Sequence, residues 1–184
     1  MAPPPPWKLL RERHLRDYRI FRARTFDVAD PRNGQEYVRT VLEAPDWVNV
    51  VPVTAADELV LIRQFRFGVW DTTLEIPGGM VDPGEDAAAA ARRELEEETG
   101  FVPAQFSALG VSHPNPAILG NRLHTFLATG CVKVHEGKQE GSEDIRVELV
   151  PKGQVRELVR SGQITHSLVL AALLYDAWFQ TASG

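Results

Sequence analysis

Residues 79–101, GMVDPGEDAAAAARRELEEETGF, constrain this chain more than any other stretch. Pro77, Gly78, Gly79, Pro83 and Gly84 dictate a tightly turned approach. Asp86 and the alanines at 87–91 then predict a helix. Gly100 ends it, in the left-handed position where helices commonly stop. The helix carries Glu94, Glu96, Glu97 and Glu98. At about 100° per residue, Ala87, Ala91 and Leu95 form an apolar stripe; Glu98 projects into its middle and Glu94 falls at its margin. Glu97 lies further round, and Glu96 points to the solvent side. A carboxylate on a buried face is costly unless it is paired or binds a metal. Glu94 and Glu98 also sit side by side at i, i+4 and repel each other. A hard divalent cation with oxygen ligands resolves that repulsion, so these residues predict a metal site.

The spacing carries further information. Gly79 is followed after five residues by Glu85, after seven more by Arg93-Glu94-Leu95, and then by Glu97-Glu98 and Gly100-Phe101. This pattern resembles the complete Nudix box, with every fixed position filled. The resemblance implies an α+β fold, the α/β/α sandwich of that family, with a mixed sheet between helices.

Length and composition agree with such a fold. A chain of 184 residues suits one domain with a modest extension. Its apolar content of 43% and charged content of 24% are those of an ordinary globular protein. The net charge of −5 offers no basic footprint for nucleic acid and disfavours anionic membranes, so neither is an expected partner. Cys131, the only cysteine, excludes an internal disulfide and is expected to be a buried, inert thiol. The N-terminal MAPPPPWKLLRERH lacks the apolar core of a secretory signal, and no run of eighteen apolar residues exists. A cytoplasmic location is expected.

Taken in order, residues 3–6 read as a disordered or polyproline leader. Alternating residues at 18–28 and 36–44 predict two strands joined by a turn at Asn33-Gly34. Strands at 47–54 and 58–65 read as a buried hairpin, and 69–76 leads into the box with Glu75 just before Pro77. Further strands are expected at 106–111, 122–134 and 145–150, then helices at 152–160 and 165–180. Leu168, Ala171, Ala172 and Tyr175 mark the packing face of the last helix. The expected division is an N-terminal extension over 1–45 and a catalytic domain over 46–184.

The resemblance assigns roles. It implies Glu94 and Glu98 as direct ligands of Mg²⁺ (or Mn²⁺), with a backbone carbonyl at Gly78-Gly79, a further site at Glu97, and Glu85 as ligand or support. Arg93 precedes Glu97 at i, i+4, so an orienting ion pair is expected. Gln64-Phe65-Arg66 and the run 74–79 resemble the ADP-ribose and nucleotide-sugar pyrophosphatases, as does Pro116, sixteen residues beyond Gly100. Arg66 would then meet a substrate phosphate with its planar guanidinium, and Gln64, Asn115 and Pro116 would line the substrate. His113 and His124 read as structural. In this subfamily the general base is often a glutamate on a loop before a late strand. Glu143 is preferred here, with Glu140 and Glu97 as alternatives. The resemblance also implies a homodimer that exchanges its N-terminal sheet. The reading is therefore a hydrolase splitting ADP-ribose or a related nucleotide sugar into two monophosphates. GDP-mannose or a dinucleotide is the alternative substrate, and a nucleotide sensor without turnover is the alternative class.

Overall fold

The computed structural model describes residues 3–138 and 144–181. The chain divides into two compact units, one comprising Met1–Pro45 with His113–Arg122 and the other Asp46–Ser112 with Leu123–Gly184.

The smaller unit is an antiparallel sheet of β1 (Lys8–Asp17), β2 (Arg22–Ala29) and β3 (Glu36–Glu43), with β2 in the middle. The strand expected at 18–28 begins only at Arg22. Residues 18–21 are instead a turn, because the Asp17 carboxylate accepts from the Arg19 N–H at 2.7 Å and Phe21 O accepts from Tyr18 N–H at 2.9 Å. That turn returns the chain from β1, a strand the sequence did not suggest. The turn at Asn33-Gly34 forms as expected, with Gly34 at φ 74° and Asn33 Oδ1 accepting from Gln35 N–H. Residues 113–122 join this unit through Leu42, whose N–H donates to Ile118 O at 2.7 Å and whose carbonyl accepts from Gly120 N–H at 3.1 Å.

The larger unit holds an eight-stranded mixed sheet. Its strands are β4 (Trp47–Thr54), β5 (Glu58–Arg66), β6 (Asp71–Glu75), β7 (Gly78–Met80), β8 (Phe101–Val102), β9 (Gln105–Ser112), β10 (Leu123–Lys133) and β11 (Arg146–Pro151). The order β11-β5-β4-β10-β8 forms the spine, with β6 on β5, β7 on β4 and β9 on β10. Among the described strands of this sheet, only β4 and β10 run parallel. The box helix α1 (Ala87–Thr99) covers one face. After a single 3₁₀ turn at Lys152–Gln154, α2 (Val155–Arg160) and α3 (Ser167–Thr181) cover the other. The result is the expected α/β/α sandwich.

Side-chain alternation along β4 shows how the layers form. Val48 and Val50 pack with Ala90, Ala91 and Leu95 of α1, whereas Val51 and Val53 pack with Val169 and Ala172 of α3. A strand covered on both faces must be apolar at nearly every position, as WVNVVPVT is. Asn49 is the buried exception. Cys131 is buried among the α1-side residues, and burial pushes its thiol up to about 11. The packing face of α3 differs from the expected one by about one position: Val169, Ala172 and Asp176 are its most buried residues. The shift arises because Lys152 pairs with the buried Asp176 carboxylate at 2.8 Å, drawing a polar residue into the interface. Among the described residues, no helix is long and apolar enough to cross a membrane.

Candidate active site

β4 and β5 pair at Val53 and Leu59. Beyond that point β4 takes β7 as its neighbour, setting Asn49 opposite Gly78 and Val48 opposite Gly79, while β5 takes β6. Residues of both ribbons line a cleft of about 740 Å³. Gly78 and Gly79 are on one wall, and Gln64, Arg66 and Glu75 on the other.

The box helix is fixed at both ends. Asp86 caps it, accepting from Ala88 N–H at 2.9 Å and Ala89 N–H at 3.3 Å. Gly100 closes it at φ 74°, and a Cβ there would lie 1.9 Å from His135 O. Only glycine lets the segment after β10 dock against the helix end. There Gly100 O accepts from Val134 N–H at 2.8 Å, and Glu97 O accepts from Lys138 N–H at 2.7 Å. Glu96, expected to be merely solvated, has a partner in this same segment, the His135 ring at 3.2 Å from its carboxylate.

Arg93 gathers the box carboxylates. Its guanidinium donates to both oxygens of Glu85 at 3.0 Å, to Glu94 at 2.9 Å and to Glu97 at 3.1 Å, and also to Met80 O at 3.2 Å. The expected pair with Glu97 is therefore one of three. Hydrogen bonding from Arg93 holds the Glu85 carboxyl below its usual range and raises the guanidinium in return. Glu98 is buried on the apolar stripe as its angle predicted, and its carboxylate accepts from Gly78 N–H at 2.9 Å. Gly79 leaves room for Glu94, since a Cβ there would come within 2.4 Å of that carboxylate.

Across the cleft, Arg66 donates through Nε and Nη2 to the two oxygens of Glu75, at 2.8 and 2.7 Å. Thr73 Oγ1 adds a third bond at 2.6 Å. Glu75 is only 3% exposed. Burial by itself would raise its carboxyl, but the Arg66 and Thr73 hydrogen bonds, with the charges of Arg66 and His166, carry it below the ordinary range.

The expected site residues thus fall into three groups. Glu85, Glu94 and Glu97 meet at Arg93, Glu98 meets Gly78, and Gln64 and Arg66 line the same cleft as Gly78. Asn115 and Pro116 belong to the smaller unit, where Asn115 shapes a turn: its side chain accepts from Ala117 N–H and its carbonyl from Ile118 and Leu119 N–H. Glu140 and Glu143 lie outside the described residues, although Asp144, next in the chain, lines the cleft. His124 is structural, 3.1 Å from Asp46. Sequence reasoning gave no role to Glu75, Asn49 or His166, all of which line the cleft. For Glu75 a signal existed, an acidic residue set between the apolar Leu74 and Ile76 just before Pro77-Gly78.

Comparison with known proteins accords with this geometry. The NUDIX domain model matches residues 45–172. An ADP-ribose pyrophosphatase of Bacillus subtilis (strain 168) is 30% identical over 174 residues, spanning 91% of this chain and 94% of that protein. A methanol dehydrogenase activator of Bacillus methanolicus is 29% identical over the same spans. The crystal structure of an ADP compounds hydrolase superposes with a TM-score of 0.85 at 23% identity, covering 100% of this chain and 99% of that one. The box carboxylates on and just before one capped helix, the cleft bordered by Gly78 and Gly79 and the matched domain lead to one assignment: the chain belongs to the Nudix family of pyrophosphohydrolases.

Proposed function

We propose that this enzyme hydrolyses the pyrophosphate bond of ADP-ribose or a related nucleoside diphosphate sugar, releasing a nucleoside monophosphate and a sugar phosphate. One observation carries the reading. Arg93 gathers Glu85, Glu94 and Glu97, Glu98 is held by Gly78 N–H, and Arg66 lines the cleft that Gly78 and Gly79 border.

Among the described residues, no three potential ligand side chains already stand in a metal-holding cluster. The donor set nonetheless fits a hard divalent ion. It is all oxygen and carries more negative charge than Arg93 balances. Glu94 and Glu98, with a backbone carbonyl at Gly78, would hold Mg²⁺ or Mn²⁺. Glu97 would hold a further ion or its water, and Glu85 would support them. When bound, such an ion neutralises phosphoryl oxygens and acidifies water. The chain's own contribution is orientation. Arg93 keeps Glu85, Glu94 and Glu97 in register, and Gly78 N–H fixes Glu98. Glu75 holds the Arg66 fork ready for a phosphate. Gln64 lines the substrate within this cleft, and Asn115 and Pro116 are assigned to substrate by family resemblance. Glu143 takes a proton from the attacking water, with Glu140 or Glu97 as the alternative base; the placement of Asp144 in the cleft favours the first.

The 1–45 segment is the extension and 46–184 the catalytic domain of a homodimer. All ten residues of β1 are exposed, including Leu9 and Leu15, and an uncovered strand of that kind is suited to burial by a second copy. A cytoplasmic enzyme acting on nucleotide sugars accords with the free, buried Cys131.

The test is a panel of ADP-ribose, nucleotide sugars, GDP-mannose and dinucleotides with Mg²⁺ or Mn²⁺, the products being resolved after reaction in ¹⁸O-water. Fastest turnover of ADP-ribose or a nucleotide sugar is expected. Preference for a dinucleotide would move the assignment to the alternative substrate, and binding without turnover would make the protein a sensor.

A further inference from the structure

His166 stands outside both ribbons of the cleft. It immediately precedes α3 and lines the cleft together with Gly78 and Glu75. Its Nδ1 accepts from Leu168 N–H at 3.2 Å, and its carbonyl accepts from Val169 and Leu170 N–H at 3.0 and 3.1 Å. His166 therefore caps the first turn of the helix. The cap decides the chemistry of the ring. A backbone N–H can only donate, so Nδ1 carries no proton and the neutral imidazole holds its proton on Nε2. A nitrogen that carries a proton cannot ligate a metal. Nε2 can only donate, and among the described residues it donates to no group of the chain.

Printed contacts tie His166 to both walls. Leu168, two residues on, is anchored to β4, its carbonyl accepting from Asn49 Nδ2 at 3.1 Å. Asn49 is the register partner of Gly78, whose N–H holds Glu98. On the other wall is Glu75, near enough for the charge of His166 to lower its carboxyl. The hydrogen bonds that Glu75 accepts among the described residues come from Arg66 and Thr73, and none comes from His166. The imidazole thus adjoins the wall assigned to metal and the arm assigned to phosphate, and it brings a donor that lacks an acceptor. A phosphoryl oxygen supplies one. It accepts without donating, and its negative charge strengthens the bond.

We propose that His166 is a further substrate-binding residue, whose Nε2–H donates to a pyrophosphate oxygen lying between the Gly78 wall and the Arg66–Glu75 fork. This rests on the reading of the cleft as a pyrophosphatase site.

Isothermal titration of the full chain with inorganic pyrophosphate at fixed Mg²⁺ reads the contact without sugar or nucleoside. His166→Asn and His166→Asp both keep a side-chain oxygen that caps the helix, so Tm should change little. Neither side chain is long enough to cap and to reach the cleft as well. Pyrophosphate should bind about tenfold more weakly to His166→Asn, and more weakly again to His166→Asp, whose charge repels it. KM for ADP-ribose should rise in the same order, with kcat within about threefold of the parent. Unaltered pyrophosphate affinity in His166→Asn would overturn the contact and leave His166 a helix cap. Equal losses in the two variants would overturn it too, because a capping defect is blind to the sign of the new charge. That difference is read even if both variants lower Tm. Absence of pyrophosphate binding by the parent chain is a third contrary result. A parent that binds pyrophosphate through His166 but hydrolyses no nucleotide sugar would instead refute the proposed reaction, so the two failures are distinguishable.

Discussion

Two arginine–carboxylate clusters serve this cleft, and they are built on opposite principles. Around Arg93 one guanidinium hydrogen-bonds three carboxylates, Glu85, Glu94 and Glu97, with Asp82 a fourth at 4.0 Å, so negative charge is in surplus even before Glu98 is counted. Around Arg66 one guanidinium meets one buried carboxylate, Glu75, through a two-point fork. The first cluster is a partly neutralised acidic nest, with capacity for cations. The second is neutral and oriented, its charge already matched, so it can present a donor to an anion without attracting metal. Charge balance, more than residue type, separates the side that suits a cation from the side that suits a phosphate.

The largest effect should come from removing the carboxylate that the Arg93 cluster does not restrain. Glu98→Gln keeps the acceptor for Gly78 N–H but loses the charge, and should cut metal-dependent turnover roughly 10³-fold with little change in Tm. Near-normal steady-state rates would remove Glu98 from the metal site. Next, Arg93→Lys gives up the planar fork that spans Glu85, Glu94 and Glu97. Mn²⁺ affinity, read by electron paramagnetic resonance, should fall by about 10–100-fold; unchanged affinity would mean the carboxylates need no organiser.

Arg66→Ala tests the other cluster. It should raise KM about tenfold and cost about 1–3 kcal/mol of stability, because Glu75 is then a buried carboxylate without its principal partner. The second change, Glu75→Gln in that background, should recover part of the stability in thermal melts and none of the KM. If KM recovers too, Arg66 acts only as a counter-ion. The smallest effect belongs to a pair outside the cleft, Asp30–Arg32. Hydrogen bonds from Arg32 lower the Asp30 carboxyl to about 2. Its contribution is complete above the ordinary carboxylate range and is lost as pH falls toward 2. Asp30→Asn should flatten that acid limb of Tm against pH while leaving turnover unchanged; a steeper limb would reverse the sign.

The box helix was legible because its instructions are local. Asp86, the alanine run and Gly100 specify start, body and end within one stretch, and the helical angle alone sent Glu98 inward. β4 and β5 were legible because their fully covered stretches, residues 50–53 and 59–62, are apolar at every position. β1 was not. KLLRERHLRD has no alternation to read, since all ten residues are exposed and no buried face imposes a period of two. The Arg66–Glu75 fork was hidden for a different reason. It depends on a hairpin register that sets Gln64 opposite Thr73 and Arg66 opposite Asp71, which spacing along the chain does not give. The anchoring of Asn49 likewise depends on Leu168, 119 residues away.

The single parallel pairing in the sheet, β4 with β10, has a consequence for how the enzyme assembles. The hydrogen bond joining Asp46 to His124 bridges 78 residues, and closing a loop of that length costs about 4 kcal/mol of chain entropy beyond a constant. The hairpin of β5 and β6 and the capped helix close over short distances and form without it. β4, which carries Asn49 and seats Gly78, receives its parallel neighbour only after the long closure. The catalytic cleft should therefore be among the last features to appear during folding. Mutations that slow the β4–β10 docking should delay recovery of activity on refolding more than recovery of helical signal.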